Sequence, residues 1–218
     1  MAGHRAGIGA VRETVRASAA AGIEFLTLYA FSADNWKRPR AEVSALMSLL
    51  VHFLRGELAE LQKNGMRLKA IGDLRRLPAA ARAELERVVR RTTRNRGMVL
   101  ILALNYSGRQ EIMDAAVKMA AECRKVRSRP DREDLRAFLY APEIPDPDLL
   151  IRTSGEMRLS DFMLWQGAYT ELWFTPVLWP DFRKKHLLQG LRAFANRKRR
   201  FGGVSAAGSG ARGDDRRA

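Results

Sequence analysis

Phe25-Leu26-Thr27-Leu28-Tyr29-Ala30-Phe31-Ser32-Ala33-Asp34-Asn35-Trp36-Lys37-Arg38-Pro39 is the stretch whose reading decides the fold. Phe25 to Phe31 is a short apolar run of the kind that reads as a buried strand. It gives way at once to Ser, Asp, Asn and Arg, and then to Pro39. From Ala41 to Lys63 apolar residues return at three- and four-residue steps: Val43, Leu46, Met47, Leu50, Leu54, Leu58 and Leu61. That spacing lays a broad apolar face along one helix. Pro39 before it and Asn64-Gly65 after it are start and stop signals. Arg67 to Ile71 then reads as a second buried strand.

The same alternation continues outward. Helices are expected over Ile8 to Ala21, Ala79 to Asn95, Arg109 to Lys125 and Phe182 to Arg199. Strands are expected over Val99 to Leu104 and Leu149 to Arg152, with Leu172 to Phe174 a weaker fifth. Helix and strand alternating at this spacing mean an α/β fold: an open, mostly parallel sheet flanked by helices. One domain is expected over residues 1–203, with no internal repeat. Residues 204–218 are mostly Gly, Ser, Ala, Arg and Asp and are expected to be a disordered tail.

Composition narrows the function classes. The chain has 218 residues, 46% of them hydrophobic, enough for one core. No apolar run approaches the ~20 residues of a membrane-spanning helix. The start Met1-Ala2-Gly3-His4-Arg5 lacks the apolar region of a signal peptide. Cys123 is the single cysteine, which excludes an intramolecular disulfide and a multi-cysteine zinc site and fits a cytoplasmic protein. Lys and Arg number 39 against 24 Asp and Glu, a net charge of +15. That balance suits anionic partners. Much of it is solvated helix surface, and part sits in Arg197-Lys198-Arg199-Arg200 and the tail. No nucleic-acid reader motif accompanies it, so no nucleic acid is expected as a partner.

The chemistry gathers where strands end. Leu150-Ile151-Arg152-Thr153-Ser154-Gly155-Glu156-Met157-Arg158-Leu159-Ser160-Asp161-Phe162 places two arginines, hydroxyls and a glycine turn after an apolar segment. In an open α/β sheet, ligands bind beyond the strand ends. Arginine is shaped to grip phosphate oxygens two at a time, and Ser and Thr add donors. Tyr169-Thr170-Glu171-Leu172-Trp173-Phe174 offers one carboxylate among aromatics. Arginines for an anion beside a carboxylate for a metal suggest a magnesium-bound diphosphate. Ser32 to Pro39 is a second polar strand end; a plain loop capped by Ser32 or Asp34 is the alternative reading. Asn105-Tyr106-Ser107-Gly108-Arg109 follows the same logic.

Taken together, these segments resemble the cis-prenyltransferases, most closely bacterial undecaprenyl diphosphate synthase. The likeness runs in order from Gly3 to Gly203. It is carried by Gly3-His4-Arg5-Ala6-Gly7, Leu26 to Pro39, Glu42 to Met47, Ile71-Gly72-Asp73, Asn105 to Arg109, Asp148 to Phe162, Tyr169 to Phe182 and Phe194 onward. The resemblance implies an enzyme that adds isopentenyl diphosphate units to farnesyl diphosphate, making a long cis-polyprenyl diphosphate. In bacteria that product is the precursor of the lipid carrier for wall glycans. It also implies a homodimer, an apolar tunnel for the growing chain, and Mg2+ as cofactor. A protein of the cytoplasm, in transient contact with the inner membrane surface, follows from a product that must leave into a bilayer.

Roles carry over by position. Arg152, Arg158 and Ser160, with Leu159 between them, match the positions that bind the diphosphate of isopentenyl diphosphate. Glu171 matches a carboxylate associated with magnesium, a hard cation that takes oxygen ligands. Asn35 matches a position assigned to proton removal. A neutral amide is a poor base, so positioning of substrate is the physically preferred role, with a diphosphate oxygen or water taking the proton. Ser32, Ala33, Asp34, Trp36 and Arg38 match neighbouring substrate contacts. His4 matches a residue near the allylic diphosphate; a surface histidine is the plainer reading. Arg200 and Gly202, in Arg200-Phe201-Gly202, match an Arg-x-Gly element that reaches into the partner's site; a helix end with a glycine stop is the plainer one. Val43 to Leu61 matches a helix lining the tunnel, and Ala30 a small residue beside it.

The resemblance also has a departure. The family's Asp-Gly-Asn-Gly-Arg segment, expected upstream of His4, is absent from this sequence. That segment carries the metal-binding aspartate, the glycine turn that cradles the allylic diphosphate, and a first strand. The chain as it stands is therefore expected to be inactive or impaired, with a break in its sheet. A start placed too late is the favoured account. A non-catalytic subunit that completes a partner's site, and a basic nucleic-acid-binding protein, are the alternatives. Asp34, Ser107, Ser154 and Asp161 are smaller departures from the usual residues.

Overall fold

The computed structural model describes residues 2–126, 129 and 131–197. In chain order the elements are α1 (Ala2–Ala20), β1 (Phe25–Ser32), α2 (Arg40–Lys63), β2 (Arg67–Ile71), α3 (Ala79–Thr92) and β3 (Val99–Tyr106). They continue with α4 (Gly108–Val126), α5 (Arg132–Ala137), β4 (Leu149–Arg152), β5 (Glu171–Phe174) and α6 (Lys184–Ala195).

β1 and β2 both pair parallel with β3, giving the order β1-β3-β2. β3 takes the centre because every residue of Val99-Leu100-Ile101-Leu102-Ala103-Leu104-Asn105-Tyr106 is buried. A strand covered on both faces and both edges reads as an unbroken apolar run. α2 carries the chain from β1 to β2, and α3 from β2 to β3, as parallel neighbours require. α2 and α3 share one core with the sheet, in which Leu54, Leu61, Leu85, Val88, Leu100 and Leu104 are almost fully buried.

β4 and β5 form a separate parallel pair, with Leu149 opposite Glu171 and Arg152 opposite Phe174. α6 lies against it where Gly190 admits Trp173 and Ile151. A Cβ on Gly190 would stand 3.0 Å from Trp173 Cε3 and 3.1 Å from Ile151 Cδ1. α1 spans the two halves. Arg12 Nε meets Glu57 Oε1 of α2 at 2.5 Å, and the Lys184 amide of α6 donates to Glu13 Oε1 at 2.7 Å.

The strands are thus divided between β1 and β4 into two sheets. A cavity of about 1180 Å³ lies between them, lined by Leu26, Leu28, Leu50, Phe53, Leu150 and Leu187 among others. β1 is only half-buried although its sequence is as apolar as that of β3. The difference is position: one edge of β1 is laddered to β3 and the other faces the cavity.

The expected elements are all present, with shifted ends. α1 begins at Ala2 rather than Ile8, and α6 at Lys184 rather than Phe182, because Phe182 stacks on Trp179 at 5.7 Å in a tight turn. α5 is an addition of six residues, fixed at its start by reciprocal bonds between Asp131 and Asp134. No helix among the described residues is long and apolar enough to cross a membrane. The tail, Arg200 and Gly202 lie outside the described residues.

Candidate active site

β1 ends in a reciprocal cap. The Ser32 hydroxyl accepts from the Asp34 amide at 3.1 Å, and Asn35 Oδ1 accepts from the Ser32 amide at 2.9 Å. These bonds open a 3₁₀ turn over Ala33–Lys37. Asn35 therefore spends its carbonyl oxygen on the backbone and keeps Nδ2 as a donor. Asp34 pairs with Lys37 at 2.6 Å, and Arg38 with Glu42 at 2.7 Å. Trp36 points the other way: its Nε1 donates to Asn105 Oδ1 at 2.7 Å, and its ring meets Phe31 edge-on at 5.0 Å. A smaller groove of about 520 Å³ runs from Trp36 and Arg38 along Val43 and Met47 to Pro78 and Ala81.

The loop after β4 is held in an unusual backbone. Ser154, Ser160, Asp161 and Met163 all have positive φ, at 68°, 50°, 63° and 46°, as does Gly155 at 69°. Few non-glycine residues adopt this region, and each costs on the order of 1 kcal/mol. The loop persists because hydrogen bonds over-determine it. Ser154 N donates to Val177 O at 2.8 Å and Gly155 N to Thr175 O at 2.9 Å. Asp161 caps α4 twice, accepting from Gly108 N at 2.8 Å and, through Oδ1, from Arg109 N at 2.9 Å. The result brings Arg152 and Arg158 together around one carboxylate, with Ser160 beside Arg152. Glu156 is bonded to Arg152 Nη2 through Oε2 and to Arg158 Nη2 through Oε1, the latter at 2.7 Å. Ser160 Oγ lies 3.3 Å from the same Arg152 Nη2. Arg152 Nε is buried without a partner. The bond to Arg152, with Arg158 adding to it, holds the Glu156 carboxyl below the ordinary range.

Tyr29 joins the two strand ends. Its ring stacks on Phe162 at 4.5 Å, and its hydroxyl lies 3.2 Å from Tyr106 O and 3.5 Å from Ser160 O. Burial raises its pKa, so the hydroxyl stays a donor. Behind it, buried Glu111 accepts from Tyr106 Oη at 2.5 Å, from Tyr140 N at 3.0 Å and from Gln166 Nε2 at 3.1 Å. Burial and this carboxylate push the Tyr106 hydroxyl far up, keeping it protonated. Leu159 O accepts from Phe162 N at 3.1 Å and shapes the same turn.

Other expected residues stand apart. Glu171 opens β5, three residues from the position opposite Arg152, roughly 10 Å along the strand at the usual rise. Its carboxylate pairs with Arg197 Nη1 at 2.5 Å. Within one chain it does not join the Arg152 cluster, because the two residues mark opposite ends of neighbouring parallel strands. His4 lies in the first turn of α1, and its side chain is outside the described set. Among the described residues no group of three or more His, Cys, Asp or Glu gathers as metal ligands. A magnesium ion bound with a diphosphate would need only one or two carboxylates, the rest of its ligands coming from phosphate oxygens and water. Sequence reasoning quoted Glu156 without giving it a role, and passed over Tyr29. Their signals were a carboxylate flanked by arginines and an aromatic just before the polar strand end.

The chain is similar to known proteins along most of its length. Residues 1–202 match the family described as "Putative undecaprenyl diphosphate synthase". The chain is 48% identical over 207 residues to an isoprenyl transferase of Heliobacterium mobile, covering 94% of this chain and 80% of that protein. It is 47% identical over 205 residues to an isoprenyl transferase of Clostridium tetani, covering 93% and 80%. The crystal structure of lavandulyl diphosphate synthase from Lavandula x intermedia, in complex with dimethylallyl diphosphate, superposes with a TM-score of 0.87 at 37% identity, covering 91% of this chain and 87% of that one. A "probable undecaprenyl diphosphate synthase" from Campylobacter jejuni gives 0.82 at 33% identity, covering 91% and 92%. Matched over nearly its whole length by the family model and by relatives at almost half identity, the chain belongs to the undecaprenyl diphosphate synthase family of isoprenyl transferases.

Proposed function

We propose that the protein condenses isopentenyl diphosphate onto farnesyl diphosphate and repeats the step to build a long cis-polyprenyl diphosphate, a lipid-carrier precursor for wall glycans. The observation that carries this reading is the gathering of Arg152, Arg158 and Ser160 on one fixed loop beside a mainly apolar cavity. In each turn the allylic C–O bond breaks and diphosphate leaves. The double bond of isopentenyl diphosphate attacks the allylic carbon, and a proton is lost to a diphosphate oxygen or water. The chain's own part is to bind and orient. Arg152 and Arg158 grip the isopentenyl diphosphate, Ser160 adds a donor, and Asn35 Nδ2 positions the reacting unit. When bound, magnesium would offset charge on the diphosphates, taking many of its ligands from their oxygens and from water.

Replacing Arg158 with Ala tests the assignment. Loss of a charge-assisted bond should weaken isopentenyl diphosphate binding by roughly 10- to 100-fold in calorimetry. Unchanged affinity would remove Arg158 from the site. Binding is the right readout because turnover by this chain alone is a separate question. The absence of a metal-ligand cluster among the described residues, with Glu171 held by Arg197, favours a second reading: a subunit that completes a partner's site. Incorporation of labelled isopentenyl units by the chain alone decides between them. Homodimer formation belongs to the proposal, supported by Met113 and Val117, which leave apolar side chains exposed one turn apart on α4. So does placement in the cytoplasm with transient contact at the inner membrane surface.

A further inference from the structure

We propose that Glu156 is the diphosphate site's internal occupant: its carboxylate holds the place of a phosphate between Arg152 and Arg158 and must be displaced before a diphosphate binds. The proposal rests on the assignment of those arginines to the substrate diphosphate. Each oxygen of Glu156 is taken by a different guanidinium. A carboxylate and a phosphate are gripped by arginine in the same forked way, so one can stand in for the other. Ser160 Oγ accepts from the same Arg152 Nη2, so that nitrogen is shared between Glu156 and Ser160.

The backbone delivers this contact. Ser154 and Gly155 form a consecutive left-handed pair, which folds the chain back so that Glu156 meets Arg152 outside any helix. The turn is pinned by the bonds to Val177 O and Thr175 O. The carboxylate is not locked in, however. Its side chain is 36% exposed, and among the described residues no further hydrogen bond holds it, so it can swing into water. Without an anion, two guanidinium groups at this spacing repel each other. Glu156 removes that repulsion and keeps both arginines parked. The same contact competes with every incoming diphosphate and lowers the affinity of the site.

A competitor and a scaffold predict opposite signs. Inorganic pyrophosphate binding is measured by calorimetry on the full chain, without added metal, for the wild type, Glu156→Gln, Glu156→Asp and Arg158→Ala. Glu156→Gln removes the charge and keeps the size. It should bind pyrophosphate roughly tenfold more tightly, the worth of about one charge-assisted bond. Glu156→Asp is too short to bridge both arginines and should fall in between. Equal or weaker binding by both variants, with circular dichroism melts like the wild type, overturns the proposal. Arg158→Ala separates the failures: weaker pyrophosphate binding there leaves the site assignment standing, and no effect there sinks the assignment and the proposal together.

Discussion

Asn105 ties both strand ends to the core through a single side chain. It is 4% exposed, stands at φ 46°, accepts from Trp36 Nε1 and donates through Nδ2 to Asp73 O at 2.8 Å. Asparagine tolerates the left-handed region better than most residues. Replacing it with alanine keeps the strained backbone and leaves the half-buried indole N–H without this partner. A loss of about 2–4 kcal/mol is expected, read as a lower urea midpoint with an unchanged m-value. An unaltered midpoint would show that the bond to Trp36 contributes nothing. Asn105 was visible in the sequence as a polar residue after a strand. Its partner was not, because Trp36 reaches it only once β1 takes its register on β3. Glu156 was hidden for a similar reason. Its contact depends on the left-handed pair Ser154-Gly155, and only the glycine signals that conformation. Asn35 was half-legible: the capping alternative was open from Ser32 alone, and the bond from the Ser32 amide makes Asn35 a member of the cap.

Glu84 shows how an element with weak sequence signals is fixed in place. α3 has no side-chain cap at its start, and Glu84 sits among its buried residues. Its carboxylate accepts from Arg87 Nη2 at 2.5 Å and lies 3.6 Å from Arg55 of α2. The bond to Arg87 is the largest cause of a lowered pKa, against a smaller opposing effect of burial. A depressed folded-state pKa means that the stabilisation is present above the unfolded value of 4.5 and is lost as pH falls through the folded value. Glu84→Gln should therefore lower stability by about 1 kcal/mol near neutral pH, with the difference from wild type closing below pH 4.5. Denaturant titrations at the two pH values check it; a difference that persists in acid argues for lost packing instead. α2 was legible from its apolar steps and its punctuation at Pro39 and Gly65. α5 was not, because six residues are too few for periodicity, and its capping box runs between two aspartates. The first turn of α1 was missed because Ala2 to Gly7 carries no apolar face and two of its six residues are glycine, a poor helix former.

The break between β1 and β4 governs the behaviour of the whole chain. β1 and β3 read alike in sequence, yet one is half-buried and the other is the buried centre of the sheet. Apolar runs report that a strand is covered, not which of its edges is paired, so the cavity could be expected only through the family likeness. An unpaired edge leaves backbone donors to water or to whatever fills the cavity. In a strand, successive N–H groups point to opposite edges, so β1 carries one set bonded to β3 and one set facing the cavity. Hydrogen exchange followed residue by residue should separate the two. The cavity-facing amides of β1 should exchange through small local openings, at least roughly a hundredfold faster than the amides of β3, which should open only with global unfolding. Uniform protection across β1 and β3 would mean that the cavity edge is paired in solution, by a second copy or another strand. In that case protection would fall as the protein is diluted, and a monomer with a closed edge would show no such dependence.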